Sequence, residues 1–298
     1  MSLFVHRIFI EALGSSLIIA GGLWRLWRQD MILGMLRFAF ALMGIASFGM
    51  FALNAGGQKC GSDAQSTIAT DRPQFTSSSI VVPCGSLQFE NGFLVTGNGG
   101  QQTTDFPETS VRFGILRKTE LRLGVPNYFY NYDTGSGFTN GFGDVSAGFK
   151  QQLGPTPGNF NLSLIPMVSL PSGANLISSH GYDPTVQLPW SRGLSKNWTV
   201  AGMFSVSWPT QSGRRNRTGQ ASMYFDRQLT APWDAYVEYS GSFPERGGPQ
   251  NFINSGMAYK VSSHQQLDFH AVFGLSAATP DYQIGLGYSF RLQVIHGK

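Results

Sequence analysis

Residues 108–128 read ETSVRFGILRKTELRLGVPNY, and their reading decides the fold. Val111, Phe113 and Ile115 alternate with Arg112 and Gly114; after an Arg-Lys-Thr break, Leu121, Leu123 and Val125 alternate with Arg122 and Gly124. A side-chain period of two is the mark of a strand with two unlike faces, so the stretch predicts two strands joined by a tight polar turn. One face is wholly apolar and the other carries Arg112, Glu120 and Arg122. A soluble sandwich would turn the charges to water and the apolar row to a core. A barrel in lipid would reverse both directions.

Composition favours the barrel. Of 298 residues, 42% are hydrophobic and only 13% charged, against about 25% charged in ordinary soluble domains. There are 37 Gly and 23 Phe, yet mean hydropathy is only -0.08, too low for a bundle of apolar helices. The net charge of +4 comes without a Lys/Arg cluster interleaved with aromatics, which argues against a nucleic-acid partner.

The same alternation recurs along the chain. Val145, Ala147 and Phe149 oppose Asp144, Ser146 and Lys150; Trp198, Val200, Phe204, Val206 and Trp208 oppose Thr199, Ser205 and Ser207. Leu267, Phe269, Ala271 and Phe273 oppose Asp268 and His270; Tyr282, Ile284, Leu286, Tyr288 and Phe290 oppose Gln283, Ser289 and Arg291. With weaker segments counted, the pattern predicts an all-β, transmembrane, antiparallel up-and-down β-barrel of about 12 strands. Connections of alternating length support it. GNGGQQTTDFP, NYDTGSGFTNGF and PSGANLISSHGYDP read as long outer loops, separated by short periplasmic turns such as GPTPG and SRGLSK. Trp198 and Trp208 share a face ten residues apart, a span that on a tilted strand projects to about 25 Å, the height of a lipid-facing band between aromatic girdles. Tyr128, with Phe129 and Tyr130, and Trp233 read as further girdle residues at strand ends. Pro166, inside LSLIPMVSL, predicts a bulge or a shortened strand, because it has no N–H for the ladder.

The apolar runs that could be taken for helices lie before residue 57. Arg37, an apolar run over 38–51 and the small residues at 55–57 have the layout of a signal peptide. This places the natural start at Met31 or Met35, with an uncleaved anchor helix as the alternative. The expected organisation is an extension plus signal peptide over 1–57, a periplasmic arm over 58–85, the barrel over 86–292 and a tail over 293–298; the Asp71–Thr76 stretch of the arm either folds into the lumen as a plug or lies along the periplasmic rim. Cys60 and Cys84 both follow the expected cleavage site, and an oxidising periplasm suits a bridge between them; two free thiols are the other reading.

Five stretches, in order, carry a family resemblance: DRPQFTSSSIVVPCGSLQFENGF, PETSVRFGILRKTELRLGVPNY, GFGDVSAGFKQQLG, LIPMVSLPSG and DPTVQLPWSRGLSKNWTVAGMFSV. The chain resembles the outer-membrane proteins associated with the phenol meta-cleavage pathway, often labelled transporters. The likeness is clear from Asp71 to Val206 and departs at Cys84, where a second Pro is usual. It implies a Gram-negative outer-membrane barrel and uptake of aromatic compounds.

In a membrane barrel the polar face points into the lumen. Glu108, Arg112, Glu120, Arg122, Asp144, Lys150, Asp226, Glu238, Asp268, His270 and Arg291 then line or border it, with Tyr236 facing inward by parity. Mixed signs argue against a strongly ion-selective pore. The bland reading is a network of lumen ion pairs that stiffens the barrel; the functional reading makes Arg112, Glu120, Arg122 and Asp144 a constriction that orients a solute. Arg214, Arg215 and Arg217 fall in a long outer loop and are candidates for lipopolysaccharide phosphates, or simply a solvated basic loop. The residues suggest no metal, cofactor or catalytic centre: GxSxG, HExxH and Walker patterns are missing from the sequence, and His270 faces inward, away from lipid. The expected function is passive passage of small, aromatic or hydrophobic solutes, with lipid, lipopolysaccharide and the assembly machinery as further partners. A structural or adhesive barrel with a closed lumen is the alternative, and a lipid-modifying barrel enzyme the third reading.

Overall fold

The computed structural model describes Cys60 and residues 65–295, all of them strand, turn or irregular chain. The apolar runs and the signal peptide expected over residues 1–57 lie outside the described residues. Twelve antiparallel staves close into a barrel. The first is Ser86–Asn98. The second is Gln101–Phe106 continued by Ser110–Leu116, the third Thr119–Gly124 continued by Tyr128–Asp133, and the fourth Gly137–Phe142 continued by Val145–Gln152. The others are Phe160–Leu170, Asp183–Gly193, Trp198–Ser207, Thr218–Gln228, Trp233–Pro244, Gln250–Ser262, Gln265–Gly274 and Tyr282–Gln293. The last pairs with the first from Ser86↔Gln293 to Gly97↔Tyr282, which closes the barrel and leaves only Gly137–Phe142, above the fifth stave, paired on one side. Phe89 and Phe290 stack across this seam, ring centroids 5.0 Å apart.

The faces are inverted relative to a soluble sheet. Glu120 is 0% exposed while its neighbour Leu121 is 49% exposed. Arg112, Lys150 and Glu238 point inward and are buried; Phe204, Phe269 and Leu286 point outward and are exposed. An apolar exterior of this kind needs lipid around it, and closure satisfies the backbone groups that lipid cannot.

Three expectations are corrected. Two of the expected long outer loops are mostly strand: Gly99 and Gly100 alone connect the first two staves, and residues 134–136 the third and fourth. Gly99 and Gly100 both hold positive φ (51° and 95°), as a two-residue hairpin turn requires. Asp133 Oδ1 accepts the backbone N–H groups of Gly135 and Ser136, closing the second turn. The Gln, Thr and Tyr residues there pair as strands, so the wall stands taller on this side. Genuinely long connections remain at 171–182 and 208–217. Pro166 neither bulges nor ends its stave. The ladder lapses opposite it, yet Gly148↔Met167 and Gln151↔Leu164 keep one register on either side. Tyr128 is not at a stave end, because the third stave runs on beyond it to Asp133.

Residues 65–85 run inside the lumen. Ile68 N donates to Ser263 O at 2.8 Å on entry, and Gly85 N to Gly114 O at 2.7 Å on return to the first stave. The inner wall leaves room for this arm at glycines. A Cβ on Gly114 would strike the carbonyls of Val82 and Pro83, and one on Gly92 would strike the Arg72–Glu108 pair. Cys60 and Cys84 form a disulfide with Cα atoms 4.9 Å apart.

Candidate functional site: the occupied lumen and the cavity beyond it

The second hairpin projects Arg112, Glu120 and Arg122 into the lumen, and the fourth stave adds Lys150. Arg112 Nε and Nη2 donate to the two oxygens of Glu120 at 2.8 and 3.0 Å, and Nη1 to Glu90 at 2.7 Å. Arg122 Nη1 reaches Glu120 at 3.0 Å, and Lys150 Nζ lies 3.5 Å from it. The arm enters this cluster through Asp71, which pairs with Arg122, with Lys150 at 3.3 Å and with Arg112 at 3.5 Å. Three carboxylates thus face three cations. Arm backbone completes the lattice: Ala69 O and Ile80 O accept from Arg112, and Val82 N donates to Glu120 at 2.6 Å. Two-pronged Arg–carboxylate pairing fixes geometry as well as charge. Burial raises the Asp71 carboxyl, but Arg112, Arg122 and Lys150 outweigh it and hold it well below its ordinary value.

Two further anchors hold the arm. Glu238 accepts from Phe75 N and Thr76 N, both at 2.8 Å, and from Thr76 Oγ1 at 2.7 Å. Asn254 and Tyr236 reach Pro73 O, and Asn254 also donates to Glu238 at 2.9 Å. Arg72 pairs with Glu108 at 2.5 Å and lies 3.6 Å from Asp268.

Beyond this layer, toward the end with the long connections, staves two, three and four all break at one level, at residues 107–109, 125–127 and 143–144. Single backbone bonds bridge the breaks: Gly92 N to Pro107 O, Val125 N to Thr109 O, and Gly143 N to Asn127 O. The wall kinks there and frames a cavity of about 660 Å³. Phe129, Val125, Leu176 and Ile177 give it apolar surface; Asn127, Asn131, Ser146, Ser179 and three carboxylates give it polar groups. Asp144 accepts from the backbone N–H groups of Ser172, Gly173 and Ser179, pinning the 171–182 connection over the opening.

The expected lumen residues therefore fall in different places. Arg112, Glu120, Arg122 and Lys150 form one cluster with the arm. Asp144 does not join them, because the break before Val145 carries it to the cavity, where Glu108 also opens. Asp268 and His270 are buried on the inner face, with both Asp268 oxygens and His270 Nδ1 accepting or donating no hydrogen bond. Arg291 meets Ser66 of the arm. Glu90 and Asn254 escaped the sequence reading, although strand parity opposite Phe89 could have found Glu90; of the two readings of Asp71–Thr76, plug or periplasmic rim, the ion pairs of Asp71 and Arg72 with the inner wall match the plug. Of the outer arginines, Arg215 pairs with Asp183 at 2.6 Å and Arg217 with Glu245 at 3.1 Å, while Arg214 is exposed. Trp198 and Trp233 face outward near the end where the termini lie, and Trp208 follows the opposite end of its stave. Among the described residues no group of His, Cys, Asp and Glu converges as a metal site. His180 Nε2 donates to Asn175 O at 2.9 Å rather than to a serine, so the Ser178–Ser179–His180 run builds no nucleophilic relay.

A closed twelve-stave barrel with an apolar exterior and a charged lumen defines an outer-membrane β-barrel. The chain belongs to the family described as "Putative MetA-pathway of phenol degradation", whose model matches residues 70–292. The fold is also that of a crystal structure of an outer membrane channel from Pseudomonas putida F1, at 11% identity and a TM-score of 0.58, covering 74% of this chain and all of that one. A NanC porin structure is similar at 10% identity and a TM-score of 0.49, covering 69% of this chain and 100% of that one. No curated protein sequence matches the chain.

Proposed function

We propose that the protein is an outer-membrane channel for passive uptake of small aromatic or hydrophobic solutes. The cavity at the wall kink carries this reading: it offers the Phe129 ring and the Leu176 and Ile177 side chains beside amide and hydroxyl groups, in a barrel whose lumen holds an arm anchored by hydrogen bonds and ion pairs. A ring with one polar substituent matches that lining, and the family description supports an aromatic solute. Passage then requires the arm to shift, which non-covalent anchors permit. On this reading the chain is exported by its signal peptide, inserted by the outer-membrane assembly machinery, and Arg214 meets lipopolysaccharide phosphate.

The density of arm contacts favours one rival, a structural barrel with a permanently closed lumen. Reconstitution into planar bilayers and liposomes separates the two. Uptake predicts measurable conductance and faster entry of small aromatics than into protein-free liposomes. Silence in both assays, for the wild type and for a variant lacking residues 65–83, sinks the uptake reading.

A further inference from the structure

Lumen charge is sorted by depth. In the arm layer, Asp71, Glu90 and Glu120 balance Arg112, Arg122 and Lys150. The cavity beyond is different. Glu108, Asp144 and Asp183 line it, and among the described residues no Lys, Arg or His does. Asp105 stands one hydrogen bond behind its wall, accepting from Asn127 at 2.9 Å. Asp268 lies behind Glu108 across Arg72, its side chain fully buried and neither oxygen hydrogen-bonded.

Among the described residues, two cations answer these five carboxylates. Arg72 is shared between Glu108 and Asp268, and Arg215 is taken by Asp183. Among the described residues, Asp144 pairs with no cation; its partners are backbone N–H groups, which orient the carboxylate without cancelling its charge. The carboxylates do not converge on a point as ligands would, so their effect is a field across the opening. A recess lined by one sign of charge focuses that field on anything entering.

Building on the uptake reading, we propose that this cavity is a charge filter: it admits neutral hydrogen-bonding aromatics and organic cations and turns away aromatic carboxylates, with Asp144 setting the filter. Mixed charge signs in the sequence conceal this, because the cations that balance the count sit in the deeper layer, locked to the arm.

The test uses three solutes with one ring and different charge: benzamide, ionised benzoate at pH 8 and benzyltrimethylammonium, in liposomes corrected for protein-free flux. Reversal potentials under a KCl gradient are read in parallel. Wild type should be cation-selective and pass benzoate least. Asp144→Asn should raise the ratio of benzoate to benzamide flux by about 3-fold, the size of one unit charge screened by water at several ångströms. Asp183→Asn, which leaves the 171–182 anchors on Asp144 intact, should shift the ratio the same way, and Asp144→Glu should retain the wild-type ranking. Equal passage of benzoate and benzamide, or no shift in either Asn variant while benzamide still passes, overturns the filter. Flux absent for all three solutes, with no conductance, instead removes the uptake reading and the filter with it.

Discussion

Arg112 and Glu120 meet across the second hairpin in a two-pronged pair, 2.8 and 3.0 Å, with both side chains fully buried. Glu120 also holds Arg122, Lys150 and Val82 N, so removing it leaves three buried cations to share Asp71 and Glu90. A buried pair adds little over an apolar replacement, but breaking one side costs about 3–5 kcal/mol. Glu120→Ala should therefore lower the temperature of the heat-induced gel shift and expose residues 65–83 to protease. In a double-mutant cycle, adding Arg112→Met should recover part of that loss.

Gly92 is where the wall gives way to Arg72 and Glu108. Gly92→Val should expel Arg72 from its pairs with Glu108 and Asp268 while leaving the first stave paired on both sides. The expected readout is higher single-channel conductance with an unchanged β-sheet circular dichroism spectrum.

Glu238 anchors Phe75 and Thr76 at a site distant from the Arg112 cluster. Its loss leaves two arm N–H groups without their acceptor, at a cost of about 1–3 kcal/mol each. Glu238→Ala should raise arm cleavage by an added protease on its own. Combined with Glu120→Ala, the effect should exceed either alone, since the anchors grip different parts of one segment.

Asp71 makes docking of the arm sensitive to acid alone. Its carboxyl titrates below the ordinary value of 3.8 when docked, so its contribution is fully present above that value and is lost as pH falls through the docked pKa. Conductance should stay flat from pH 8 to pH 5 as far as Asp71 is concerned and rise only below about 3.8. Asp71→Asn should raise the neutral-pH conductance and remove most of the acid response.

The Cys60–Cys84 bridge closes a segment with a sequence separation of 24. Restricting the displaced arm in this way is worth about 3 kcal/mol on a chain-entropy basis. Treatment with dithiothreitol should increase cleavage within 65–83 without abolishing the heat-dependent gel mobility of the barrel. Unchanged cleavage would mean that the hydrogen-bonded anchors alone retain the arm.

The outline of the barrel was legible because it depends on local alternation. Leu121 beside Glu120 places one side chain in lipid and the other inside whatever the neighbouring strand is. Chain closure, the near-count of staves and the inward turn of Arg112, Glu120, Arg122 and Lys150 follow from that period. Loop lengths were less legible, since Gln101–Phe106 and Gly137–Phe142 have the polar or Gly-rich composition of loops yet pair as strands once their partners are in place.

Tertiary structure decided what fills the lumen and how its charge is distributed. The arm has no periodicity, and its partners lie far away in the chain: Thr76 reaches Glu238, and Arg72 reaches Asp268. The placement of Asp144 depends on three breaks aligning across neighbouring staves, a relation between strands that no single strand encodes. The sequence alone determined which side chains face lipid and which face inward, because strand parity is a property of consecutive residues. Which inward charges neutralise one another, and which are left to face an entering solute, was set by register and by the folded-in arm, because electrostatic pairing acts through distance in space.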